Sequence, residues 1–293
     1  MIKATLIKAI LYLFAFLPLP LSHAIGSLTG TALAGLPGRT RDVVRTNIDL
    51  CFPERPAGER RRLVNTCLRE TGKTIMESGA LWLRPAKMAL RLIRDVDGLE
   101  HVEAAQAQGH GIILATPHLG AWEAAGLYCA SRYDITCLYR PLRMQALEDL
   151  VRNARNRAGG NYVPATAQGI RTLYKTLAEN RAVAMLPDQE PQAGTGLFAP
   201  FFGISAYTMV FLSRLTIKTG APIVFVWSER LSFGRGYRLH FRPAVEGASA
   251  DDLATSVAAI NRTVENMIRE RPEQYQWSYR RFRTRPEGEP AVY

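Results

Sequence analysis

Gly111-Ile-Ile-Leu-Ala-Thr-Pro-His-Leu-Gly-Ala-Trp-Glu123 is the stretch that decides the fold. Gly111–Ala115 has the length and β-branched content of a buried strand. Pro117 stops it, and Gly120 to Ser131 reads as a helix. His118 therefore sits at a strand-to-helix turn, where a side chain can be aimed into a cleft. In one unbroken helix, His118 and Glu123 would point about 140° apart, because each residue turns roughly 100°. They can meet if His118 lies just before the first regular turn, a geometry that Pro117 and Gly120 permit.

A paired imidazole and carboxylate can do general-base work: the ring takes a hydroxyl proton, and the acid fixes its tautomer and steadies the imidazolium. The positive pole of a helix start favours the neutral ring, and its free N–H groups suit a developing oxyanion.

Working outward, strands and helices alternate from Leu92 on. Strands are expected at Leu92–Val96, Gly111–Ala115, Ile135–Tyr139, Ala182–Leu186, Ile223–Glu229 and Tyr237–Phe241. Helices are expected at Val102–Gln108, Gly120–Ser131, Ala146–Ala158, Ala167–Asn180, Tyr207–Thr219 and Asp252–Glu270. The alternation predicts an α/β fold, with helices flanking a central, mostly parallel sheet. Ligands of such sheets bind at the carboxyl ends of strands. Two loops qualify: the one carrying His118, and Pro187-Asp188-Gln189-Glu190 after Ala182–Leu186. Asp188 and Glu190 could equally be turn acids capping their own backbone. The following Leu197–Phe202 could line an acyl pocket or belong to the core.

Leu6–Ile25 is almost wholly apolar, and that character continues to Leu36. It outlasts a signal peptide, and a buried core helix is the other reading. Pro18 and Pro20 would kink a span without forbidding it, so residues 1–36 are expected to be a membrane anchor and residues 37–293 the remaining domain. A helical segment is expected from Glu59 to Leu83. The formal net charge of +11 over 293 residues points to anionic partners. Cys51, Cys67, Cys129 and Cys137 show no metal spacing and read as thiols in a reducing compartment. Zincin, P-loop and GxSxG patterns are absent. In the tail, Trp277, Tyr279 and Phe282 alternate with arginines, as on nucleic-acid or membrane surfaces, or as aromatics that pack inward.

The chain resembles the late acyltransferases of lipid A biosynthesis, within the wider lysophospholipid acyltransferase superfamily. The likeness rests on His118–Glu123 as a His-x4-acid signature, Tyr139-Arg140-Pro141, Arg155, Pro187-Asp188-Gln189-Glu190, and Gln274–Trp277 with Arg280–Pro286. It implies residues 37–293 as the acyltransferase domain, His118 as general base with Glu123 as its partner, and Arg140, Arg155, Asp188 and Glu190 as substrate-binding positions. Gln189 and Glu190 stand where relatives often carry a His and a second Asp. The implied reaction moves a fatty acyl group from acyl carrier protein to a hydroxyl of a phosphorylated glycolipid. It needs no metal, cofactor or covalent intermediate. The implied place is the cytoplasmic face of the inner membrane, held by a single N-terminal anchor. Two other readings stand beside it: a superfamily acyltransferase with a lysophospholipid or amino-lipid acceptor, and a non-enzymatic basic membrane-surface or nucleic-acid-binding protein. The resemblance implies no nucleic-acid partner.

Overall fold

The computed structural model describes residues 2–139 and 144–293, with side chains from residue 4 onward. Five strands run parallel: β2 (Ile112–Ala115), β3 (Ile135–Tyr139), β4 (Asn161–Pro164), β5 (Ala182–Met185) and β8 (Ile223–Arg230). Strand β9 (Tyr237–Pro243) returns antiparallel to β8, and β1 (Ile93–Asp97) pairs in parallel with β9. The seven-stranded order is β1-β9-β8-β2-β5-β3-β4. This is the expected mostly parallel α/β sheet.

Both sheet faces are covered, so its central strands are apolar throughout. Ile113, Ala115, Val183, Phe225 and Trp227 enter the larger core cluster; Ile112, Leu114, Val224 and Val226 enter the one on the opposite face. The helices α6 (Leu99–Gln106), α7 (Trp122–Arg132), α8 (Gln145–Asn156), α9 (Ala167–Ala178), α10 (Phe211–Thr219) and α11 (Leu253–Glu270) lie within two residues of expectation at most ends. Two features differ. Asn161–Pro164 is a short edge strand. Gly196–Phe201 (β6) and Ile204–Met209 (β7) form an antiparallel hairpin, turning at Phe202 and Gly203, both with positive φ. Phe201 and Phe202 are buried core, not pocket lining.

The apolar N-terminal run folds as two helices. Among the described residues, no helix is long and apolar enough to cross a membrane. The apolar run is broken near Pro18 into α1 (Ile2–Phe16) and α2 (Leu19–Gly35). Both pack on α4 (Ala57–Leu83), which follows α3 (Arg39–Cys51). Close packing of α2 on α4 depends on glycine. A Cβ on Gly30 would lie 2.3 Å from the Leu68 carbonyl oxygen, and one on Gly72 would lie 1.9 Å from that of Gly26.

A buried charge network ties this layer to the sheet. Glu77 of α4 accepts from His23 Nε2 at 2.9 Å, Arg230 Nη2 at 2.6 Å and Tyr237 Oη at 3.0 Å. Arg230 Nη1 donates to Glu70 at 2.8 Å. Burial pushes the Glu77 carboxyl up, but Arg230 and His23 override it and hold the pKa at about 2.

Candidate active site

Strands β2 and β5 are direct neighbours in the sheet although β3 and β4 separate them in sequence. Their carboxyl ends therefore release two loops side by side. The first carries His118 and the second Asp188, and the two meet. His118 Nδ1 lies 2.8 Å from Asp188 Oδ1, and the His118 backbone N–H donates to Asp188 Oδ2 at 2.8 Å.

The His118 loop is stitched on every side. Thr116 N–H donates to Met185 O at 3.0 Å, Gly120 N–H to Gln274 O at 3.0 Å, and Ala121 N–H to Ser228 O at 2.8 Å. Gln276 N–H donates back to His118 O at 3.0 Å. Gly120 has a φ of 62°, and a Cβ there would sit 1.9 Å from the Ser228 carbonyl oxygen. Only glycine fits this turn. The stitching uses the Gly120 and Ala121 N–H groups, so neither is free to serve an oxyanion.

An ionised carboxylate only accepts, so the proton of the His118–Asp188 bond sits on Nδ1. That leaves Nε2 with its lone pair, the atom of the ring able to take a proton. Burial pushes the Asp188 carboxyl up, but the His118 ring and backbone N–H more than offset this and lower its pKa. The Asp188 side chain is almost wholly buried, while that of His118 keeps 15% of its surface open. Trp122 meets the ring edge-on, with centroids 5.1 Å apart. Gln189 Nε2 lies 3.2 Å from His118 Nε2 and also donates to Gln276 Oε1 at 3.2 Å.

His118 Nδ1 is bonded to Asp188 and not to Glu123, the partner expected from sequence. Glu123 lies in the first turn of α7 and accepts from Arg155 of α8, at 2.5 Å from Nη2 and 3.3 Å from Nε. Burial raises the Glu123 pKa, but the Arg155 charge overrides it and the net shift is downward. The charge of Glu123 in turn raises the pKa of Arg155. The physical reason is the helix itself. Glu123 is already inside α7, which turns it towards α8, while Asp188 occupies Nδ1.

Glu190, expected at a substrate-binding position, is bonded to the C-terminal tail. Its carboxylate is buried and bonds Thr284 N–H at 2.9 Å, Thr284 Oγ1 at 3.0 Å and Arg283 Nε at 3.2 Å. It pins the C-terminal tail rather than facing the cleft. Arg140 lies outside the described residues. The tail aromatics Trp277 and Phe282 are buried, and so is Arg281, which donates to Tyr207 O and Thr208 Oγ1. Gln189 and Gln276 are site residues that sequence reasoning gave no role, although both lie in the motifs it singled out. Among the described residues, no group of three or more His, Cys, Asp or Glu could hold a metal ion.

Comparison with known proteins covers nearly the whole chain. A family model described as bacterial lipid A biosynthesis acyltransferase matches residues 2–284. The lipid A biosynthesis palmitoleoyltransferase of Escherichia coli (strain K12) is 31% identical over 288 residues, 97% of this chain and 92% of the relative. The lipid A biosynthesis lauroyltransferase of the same organism is 30% identical over 285 residues, 97% of this chain and 92% of the relative. A phosphatidylinositol mannoside acyltransferase of Mycobacterium tuberculosis (strain ATCC 25618 / H37Rv) is 30% identical over 188 residues, 62% of this chain and 58% of the relative.

Proposed function

The chain belongs to the bacterial lipid A biosynthesis acyltransferases, and from that premise we propose that it moves a fatty acyl group from acyl carrier protein to a hydroxyl of a phosphorylated lipid A precursor, with His118 as general base. The observation that carries this reading is the His118–Asp188 pair, with Nδ1 bound at 2.8 Å and the ring 15% exposed.

Asp188 holds the ring in the tautomer that leaves Nε2 basic and stabilises the imidazolium formed next. Nε2 takes the hydroxyl proton as the acceptor oxygen attacks the thioester carbonyl. A new C–O bond forms, the C–S bond breaks, and the imidazolium returns its proton to the departing thiolate. The products are an ester and a free thiol, with no covalent enzyme intermediate. Gln189 now covers Nε2, so its amide must swing aside for the hydroxyl to reach the base. The half-buried Glu123–Arg155 pair braces α7 against α8 beside this site.

The positive surface suits both an acidic carrier protein and a phosphorylated lipid. Membrane association is assigned to the outer side of the α1–α2 pair, where Leu6, Leu13, Phe16, Leu21 and Leu28 are exposed. Such a layer lies on the inner membrane's cytoplasmic face rather than spanning it, which keeps the cleft near a lipid acceptor.

The mycobacterial relative favours one second reading, transfer to a different lipid acceptor. Purified protein, given an acylated carrier protein with either a lipid A precursor or a lysophospholipid, decides by mass spectrometry. The proposal expects one added acyl chain on the lipid A precursor and none with folded His118→Ala. Activity confined to the lysophospholipid selects the second reading, and full activity of His118→Ala removes the base assignment.

A further inference from the structure

The β8–β9 connection ends in a short turn, Ser232-Phe233-Gly234, whose aromatic tip has no use inside the protein. Phe233 is 90% exposed, and its φ of 60° is one that side chains rarely adopt. The turn is nevertheless held firmly. Leu231 N–H donates to Gly236 O at 2.9 Å, and Arg94 Nε donates to Arg235 O at 3.0 Å. Gly234 is pressed against the start of α2, where a Cβ would sit 2.4 Å from Pro20 Cα. The ring is therefore displayed outward from a fixed base.

Its surroundings point to one occupant. The turn docks beside the α1–α2 corner, and Phe16, four residues before Pro20, is 84% exposed. The tip thus lies next to the start of α2, in a region that also exposes Phe16. Arg94 and Arg235 are exposed beside it, and the hydrogen bonds their Nε atoms make go to carbonyl oxygens, not carboxylates. A convex aromatic tip ringed by guanidinium groups matches a lipid surface, where the ring enters the acyl boundary and the cations meet phosphates.

We propose that the Ser232–Arg235 turn is a second membrane contact: Phe233 inserts into an anionic bilayer surface beside the α1–α2 layer, and Arg94 and Arg235 hold its headgroup phosphates. This rests on the membrane association assigned above to α1 and α2, and adds a separate site to it.

The test is sedimentation of the full chain with vesicles of phosphatidylcholine alone or mixed with phosphatidylglycerol. Phe233→Asn, a residue that tolerates positive φ, should weaken binding to mixed vesicles by about tenfold, the scale of losing one buried aromatic ring. Phe233→Leu should stay near wild type. Arg94→Gln with Arg235→Gln should reduce the gain from anionic lipid. Phe233→Trp should be quenched by brominated lipid beyond the native tryptophans, a readout that general misfolding would not produce. Wild-type binding with Phe233→Asn unchanged, or Phe233→Trp unquenched, overturns the tip alone. Absence of wild-type binding to either vesicle overturns the membrane reading as a whole. A vesicle-free dimer lost in Phe233→Asn, with lipid binding intact, makes a second copy the occupant and also overturns the proposal.

Discussion

His118 and Asp188 are 70 residues apart in sequence, yet Nδ1 and Oδ1 meet at 2.8 Å because their strands are sheet neighbours. The nearer acid, Glu123, bonds Arg155 instead. On the proposed mechanism Asp188 orients the base and Glu123 braces its helix, and the two roles make different predictions.

Removing one member of the Glu123–Arg155 pair leaves a half-buried charge without its partner. Glu123→Gln should cost about 2–4 kcal/mol of stability, less than a fully buried pair because Arg155 keeps some solvent contact. Glu123→Gln combined with Arg155→Met should cost less than the two singles added together. Urea unfolding of the four proteins checks this; strict additivity would show that the pair is not coupled.

Acid should loosen the layer formed by α1, α2 and α4. The folded-state pKa of Glu77 is about 2 against an ordinary 4.5. Its contribution is therefore complete above pH 4.5 and is lost as pH falls towards 2. The size is roughly 3 kcal/mol at neutral pH, from the linkage between pKa and stability. Glu77→Gln should be less stable at pH 7 and show a flatter pH dependence in the acid window. Thermal melts between pH 7 and pH 3 measure both.

Gly30→Ala should wedge α2 from α4, because its Cβ would fall 2.3 Å from a backbone oxygen that cannot retreat like a side-chain tip. A loss of about 1–3 kcal/mol is expected, as for overpacked cores. Hydrogen exchange should show it as faster opening of α2 with the sheet protected. Equal loss of protection throughout the chain would contradict this local picture.

The sheet was legible because its central strands are short, continuous apolar runs ended by Pro or Gly, a pattern set by burial on both faces. The edge strand Asn161–Pro164 and the β6–β7 hairpin were not, because their burial is partial and Phe202-Gly203 is not a familiar turn pair. The site was half legible. His118 and Asp188 each stood out at a strand end, but no spacing reveals that β2 and β5 are neighbours. Local proximity suggested Glu123, and only strand order brings Asp188 to the ring. At the apolar N-terminus the prolines signalled a kink, but composition does not register the close contacts that Gly26, Gly30 and Gly72 make between α2 and α4.

The most direct measurement is kcat/KM of Asp188→Asn beside Glu123→Gln and wild type, with acylated carrier protein and a lipid A precursor, each protein verified as folded. Asp188→Asn should fall by about 100- to 10,000-fold, as expected when a catalytic histidine loses the acid that sets its tautomer. Glu123→Gln should fall far less. The reverse order, or an Asp188→Asn enzyme within a few-fold of wild type, would contradict Asp188 as the residue that orients the base.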